Sequence, residues 1–209
     1  MAASAWSLAL CIGAASACSG VVLEERDHGE WMPTLRVELP IERPAADAPE
    51  LSQHVELAAS AVNGSVDALD YEFGELQASW SWCRAFENGA RGVGRFGVGY
   101  ASYDLEWSGS RPTEFDIRGL SLPVGAALEL PFGGDFEFEL RGQLALVLGE
   151  DLAQSSQLEA GFGWNVAAGV TLLVGWRRWV LEASALDDPV FTDVDLEVDG
   201  PMFALRLRR

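Results

Sequence analysis

Residues Asp135 to Gly149 read DFEFELRGQLALVLG. The even positions are Phe136, Phe138, Leu140, Gly142, Leu144, Leu146 and Leu148. The odd positions are Asp135, Glu137, Glu139, Arg141, Gln143, Ala145 and Val147. Successive side chains leave a strand on opposite sides, so a strict period of two marks a β-strand with two chemically opposite faces. If the leucine face points inward, this is a soluble barrel or sandwich. If the Glu137, Glu139, Arg141 and Gln143 face points inward, the surrounding solvent is lipid.

The same alternation recurs from His54 to the end, where no helical period is found. Eight strands are expected, at about 54–65, 69–86, 91–107, 113–131, 134–149, 156–166, 170–184 and 192–208. ENGA (87–90), PFGG (131–134) and AAG (167–169) read as tight Gly-containing turns. SGSRPTE (108–114), EDLAQSS (150–156) and LDDPVFT (186–192) are longer and polar, with the short link near Asn63–Asp67 as the exception. Short turns at one end and longer loops at the other describe an up-and-down meander of hairpins. In two strands the apolar parity changes part-way. Phe115 and Ile117 precede Gly119, after which Leu120, Leu122, Val124, Leu128 and Leu130 take the other parity. Val194, Leu196 and Val198 likewise give way to Phe203, Leu205 and Leu207. A one-residue phase change beside Gly reads as a β-bulge, toward the long-loop end, in strands that leave one environment and continue into another.

One face of the set is bulky and aromatic; the other is small or charged. The second carries Arg95, Glu159, Arg177 and Arg206 beside Gly97, Gly99, Gly161 and Gly163. Small residues beside long ions of both signs suit a crowded barrel interior in which charges pair. A soluble barrel burying the bulky face around an apolar ligand, as lipocalins do, has the same alternation. Trp82, Phe86, Phe96, Phe136 and Trp164 cluster near the tight-turn ends, as an interfacial girdle would. Trp176 reads as a further interface anchor beside lumen-facing Arg177. These features favour lipid outside.

The chain has 209 residues, 49% hydrophobic and 22% charged, with a formal charge of -18. Such acidity excludes the basic footprint that a nucleic-acid partner needs. The opening MAASAWSLALCIGAASACSG is apolar and small, too short to span a bilayer, and fits a signal peptide over 1–17 ending Ala15-Ser16-Ala17, or else a buried helix. Cys18 is then a candidate lipidated residue, or a disulfide partner for Cys83. Residues 18–53 form an acidic, Pro-containing extension. Within it 34–42 alternates as an edge strand might, or serves as a linker.

From about His54 to Arg209 the chain resembles the small eight-stranded outer-membrane β-barrels of Gram-negative bacteria, of the OmpA transmembrane-domain and OmpX kind. The likeness rests on the alternating strands, the tight/long loop pattern and the closing VDGPMFALRLRR, although such proteins usually end in an aromatic residue and this chain ends Arg208-Arg209. It implies an all-β, eight-stranded antiparallel transmembrane barrel over 54–209, lying in outer-membrane lipid.

Motifs for chemistry are sparse. GVGRFG at 92–97 matches G-x-G-x-x-G, but strand follows where a dinucleotide site needs a helix. The Asp spacing in DVDLEVDG is not that of a calcium loop, and strand alternation explains it. Glu150, Asp151, Asp187 and Asp188 read as solvated loops. His28 and His54 are the sole histidines, and no G-x-S-x-G or zinc spacing accompanies them. The expectation is a non-enzymatic barrel with no cofactor, no metal and no open, porin-like channel, in a structural or surface-interaction role with no protein partner indicated. The alternatives are a soluble or lipid-anchored periplasmic lipocalin-like barrel and a barrel-embedded lipid-modifying hydrolase.

Overall fold

The computed structural model describes residues 21–28, 30–42, 51–108, 113–149, 152–184 and 191–208. The expected signal segment 1–17, Cys18 and the loop acids Glu150, Asp151, Asp187 and Asp188 lie outside them. The strands are β1 (Val21–His28), β2 (Met32–Glu42), β3 (Leu51–Val66), β4 (Leu69–Ala85), β5 (Arg91–Trp107), β6 (Thr113–Pro131), β7 (Phe136–Leu148), β8 (Leu152–Ala167), β9 (Val170–Ser184) and β10 (Phe191–Arg208). From β2 to β10 each pairs antiparallel with its sequence neighbour.

β10 closes the barrel. One side pairs with β9 from Asp193↔Ser184 to Leu207↔Val170. On its other side, the first half runs parallel to β1 and the second half parallel to β2. β1 and β2 thus occupy one position in the barrel, which has nine strand positions and not the eight expected from sequence. An odd count makes the first and last strands run the same way, so the closing pair has to be parallel. Residues 34–42 are therefore no edge: β2 bonds to β10 on one side and β3 on the other, and a closed sheet has no free edge to protect.

The tight-turn end is built by residues that reach positive φ. Gly133 and Gly134 both lie at φ +61, in a three-residue loop completed by Asp135, and Phe132 N–H donates to Phe136 O at 3.0 Å. At the same end lie Gly89, Gly169 and Arg208, whose N–H donates to Gly169 O at 2.7 Å. Val21, the first described residue, pairs with Phe191 at the opposite end.

The bulge reading of the parity changes is not upheld. The β5–β6 register holds one offset from Arg91↔Glu129 to Trp107↔Thr113, and β9–β10 holds one throughout. The register shifts that occur lie at Val21/Val22, Pro40/Glu42 and Asn165/Ala167. What changes at Gly119 is chemistry, at constant geometry. Toward the tight turns, β6 points Glu129 and Ser121 inward and Leu120, Val124 and Leu128 outward. Toward the long loops it points Phe115 and Ile117 inward and Glu114, Asp116 and Arg118 outward. β4 makes the same switch, from inward Gln77 and Glu75 to inward Phe73, Tyr71 and Leu69. β10 switches from Arg206 to Val198, Leu196 and Val194. The barrel has two storeys, one apolar outside and charged inside, the other the reverse.

Candidate functional site: a charged lumen under an aromatic core

Inward positions in the first storey carry long ions because a barrel of this girth has little room for anything but side chains. The strands approach closely there. A Cβ on Gly97 would fall 2.4 Å from Ala78 O, and one on Gly163 would fall 2.8 Å from Glu137 Cγ, so glycine at these inward positions makes room for neighbouring strands and ions.

The ions form one connected network. Arg95 donates to Glu56 at 3.0 Å. Arg141 grips Glu56 through both terminal nitrogens, at 2.8 and 3.1 Å, and donates from Nε to Glu139 at 2.9 Å. Arg36, on β2, crosses the lumen to Glu139 on β7 at 2.8 Å and also pairs with Glu159, which Arg177 meets at 2.6 Å. Glu139 is the junction, since Arg206 also pairs with it and with Glu137 and Glu129. Arg208 bridges Glu38 and Glu129, and Arg91 reaches Glu129 at 2.9 Å. Arg36, Arg177 and Arg206 are almost wholly buried, so these are charges removed from bulk water and held by one another.

Glu75 lies above this network and has a neutral shell. Tyr103 and Ser155 donate to its Oε1, and Gln77 and Gln157 to its Oε2 at 2.7 and 2.8 Å. Tyr103 also belongs to the next layer. Phe73, Tyr103 and Trp179 pack edge-on, with centroids 5.2 to 6.2 Å apart, among buried Met32, Ile117, Leu181, Leu196 and Val198. Ion pairs below and aromatics above fill the interior.

Outside this second storey the strands are acidic. Asp70, Glu106 and Glu114 lie side by side across β4, β5 and β6, as do Glu72, Asp104 and Asp116. Like charges directly opposed are unfavourable except where water screens them. Arg118 sits among them at 2.8 Å from both Asp104 and Asp116. Partial burial and the neighbouring Asp104 raise the Asp116 carboxyl above its ordinary range. Burial, with a hydrogen bond to Asp27, raises the Tyr71 phenol.

The residues singled out from sequence fall as follows. Glu137, Glu139, Arg141, Arg95, Glu159, Arg177 and Arg206 are buried in the network, while Gln143 faces inward beside it without joining. Trp82, Phe86, Phe96, Phe136, Trp164 and Trp176 are exposed on the outer face. Trp82 and Phe96 pack 5.4 Å apart, and Phe132 extends the group through Phe136. Trp176 sits higher than the rest, at the border between storeys, and donates to Asp199 at 3.0 Å. Sequence reasoning missed Arg36, Glu38, Glu56, Arg91, Glu129 and Arg208 as network members, and Glu75 above them. Their inward parity was the available signal, and for Arg36 and Glu38 it is visible only once β2 counts as a barrel strand. Arg178, adjacent to Arg177, points outward to Glu197 at 2.7 Å. GVGRFG lies within β5, with no helix following.

Ser52 Oγ and His54 Nε2 are 2.9 Å apart at the tight-turn mouth. Glu38 and Glu129 nearby are engaged with arginines. A hydrolytic site also needs a carboxylate orienting the ring and donors aimed at an oxyanion, and the described residues supply neither. Cys83 is buried on the inward side of β4 near this mouth, a free thiol accepting from Arg91 Nε. Among the described residues no His, Cys, Asp and Glu cluster could hold a metal ion.

No protein-family model, curated protein or solved structure matches the chain. The functional reading therefore rests on the geometry.

Proposed function

We propose that this chain is an integral β-barrel of the bacterial outer membrane, with no open pore, serving a structural or surface-interaction role. The observation that carries the reading is the reversal of faces along unbroken strands. A barrel wall surrounded by water throughout would keep one arrangement, apolar in and polar out, along its whole length. Here the second storey has that arrangement and the first has its inverse, so the first calls for an apolar surrounding. Leu76, Val98, Val124, Leu144, Leu158, Phe162 and Val174 are each more than half exposed in that belt. On β7 the belt covers the whole strand of 13 residues, against the ~9–11 tilted residues that cross a bilayer core; it is shorter on β9 and β10. Aromatics border it on both sides, with Trp82, Phe86, Phe136 and Trp164 toward the tight turns and Tyr100 and Trp176 toward the acidic storey.

The lipocalin-like alternative needs an apolar cavity, and the interior is occupied by ion pairs and packed aromatics. The same filling argues against conduction. Cell fractionation tests the proposal. We expect the native protein in the outer-membrane fraction, released by detergent alone, with a heat-dependent gel shift. Release by salt or osmotic shock would refute it.

A further inference from the structure

Among the network ions lies a small cavity of about 20 Å³. Four arginines line it, Arg36, Arg95, Arg141 and Arg177, against three glutamates, Glu56, Glu75 and Glu159. Every carboxylate oxygen of those three is already taken. Glu56 accepts from Arg95 and Arg141, Glu159 from Arg36 and Arg177, and Glu75 from Tyr103, Ser155, Gln77 and Gln157. The buried polar atoms left over on the lining residues are all donors: Arg95 Nε, Arg177 Nε and Arg177 Nη1 have no hydrogen-bond partner. Arg95 and Arg177 are both more than nine-tenths buried. Unpaired buried donors are costly and native interiors seldom tolerate several together.

We propose that this cavity holds one monatomic anion, a halide such as chloride, as a structural ion. A site whose buried unpartnered atoms are all donors, with one more positive than negative lining charge, calls for an occupant that accepts several hydrogen bonds at once. A water molecule accepts from two N–H groups and would leave others of these unpaired, whereas a halide accepts from all of them. The volume fits a single small sphere, since one water-sized guest needs roughly 10–15 Å³. Arg36, Arg95, Arg141 and Arg177 are all buried, so an ion among them is held away from bulk water. None of this depends on what the outer belt meets.

Bromide is the probe. Crystals of the detergent-folded chain grown in sodium bromide should give an anomalous peak in this cavity, within hydrogen-bond distance of Arg177. A cavity with no anomalous signal, whether empty or filled by water, overturns the proposal. In solution, the urea midpoint should rise with the logarithm of bromide concentration when bromide replaces gluconate at constant ionic strength, because an ion bound only by the folded state stabilises it by mass action. Ala58, which lines the cavity without taking part in an ion pair, provides the control. Ala58→Leu fills the space, so the bromide dependence should vanish while the gel shift of the folded barrel remains. A dependence that persists in Ala58→Leu would place the ion elsewhere and overturn the assignment. Should that variant fail to fold, the wild-type diffraction decides alone.

Discussion

Three arginines with different surroundings should differ in their cost of removal by amounts the structure ranks. Arg206 is fully buried and pairs with Glu129, Glu137 and Glu139. Its replacement by leucine strands Glu137, a buried carboxylate with no other described ion-pair partner. Removing one partner of a buried pair costs roughly 3–5 kcal/mol, and Arg206→Leu belongs at the upper end. Arg141 is as deeply placed and makes three hydrogen bonds, but both its carboxylates keep other arginines: Glu56 keeps Arg95, and Glu139 keeps Arg36 and Arg206. Arg141→Leu should therefore cost about 3 kcal/mol, the lower end of the same range. Arg118 also touches two carboxylates at 2.8 Å, yet its side chain is 54% exposed. Arg118→Leu should cost about 0–1 kcal/mol. The assay is reversible urea unfolding of the barrel in detergent micelles, followed by tryptophan emission. The order Arg206, Arg141, Arg118 is the content of the prediction. Equal losses at Arg206 and Arg118 would refute a desolvated network. A double variant, Arg141→Leu with Glu56→Leu, should cost more than Arg141→Leu alone, because Arg95, whose described ion-pair partner is Glu56, is then left as a buried unpaired charge.

Leu144 and Leu181 contrast the two storeys. Leu144 lies on the outer belt and Leu181 is fully buried in the upper core. Leu181→Ala should cost about 2–5 kcal/mol through the cavity it leaves, whereas Leu144→Ala should cost far less because acyl chains close the gap. Leu144→Arg should cost roughly 2–4 kcal/mol in a bilayer. A Leu144→Ala loss as large as that of Leu181→Ala would refute the lipid-facing assignment. With nine strand positions, Val21 and Arg208 lie at opposite ends of the barrel. An epitope inserted just ahead of Val21 and one placed after Arg209 should therefore be accessible from opposite sides of the membrane. Accessibility of both from one side would refute the parallel closure.

Much of this was legible because a barrel strand records its two surroundings in alternate residues. Glu137, Glu139 and Arg141 against Phe136, Leu140 and Leu144 placed β7 and its faces, and the Gly-marked turns placed its neighbours. The parity changes at Gly119 and near Gly200 were visible but misread. A bulge and a change of surroundings leave the same trace in one strand, and only the unbroken register of the partner strand distinguishes them. The closure was not legible. β1 and the first half of β10 pair in parallel across some 170 residues of chain, with no turn between them to leave a local mark. β2, with Pro33 and Pro40, looked like an edge. The orphaned donors of Arg95 and Arg177 depend on where other side chains end, which no linear pattern encodes.

The central claim is that the first storey is surrounded by acyl chains. Trp80, Trp82, Trp164 and Trp176 project outward from it and exposed Trp31 lies level with Trp176, whereas Trp179 is buried in the upper core. The most direct measurement is tryptophan emission of the folded barrel in bilayers of phospholipid brominated along the acyl chains, compared with unbrominated lipid. The account predicts strong quenching of wild type, and little quenching of a variant in which those five outward residues are phenylalanine. Emission that is the same in both lipids would contradict it.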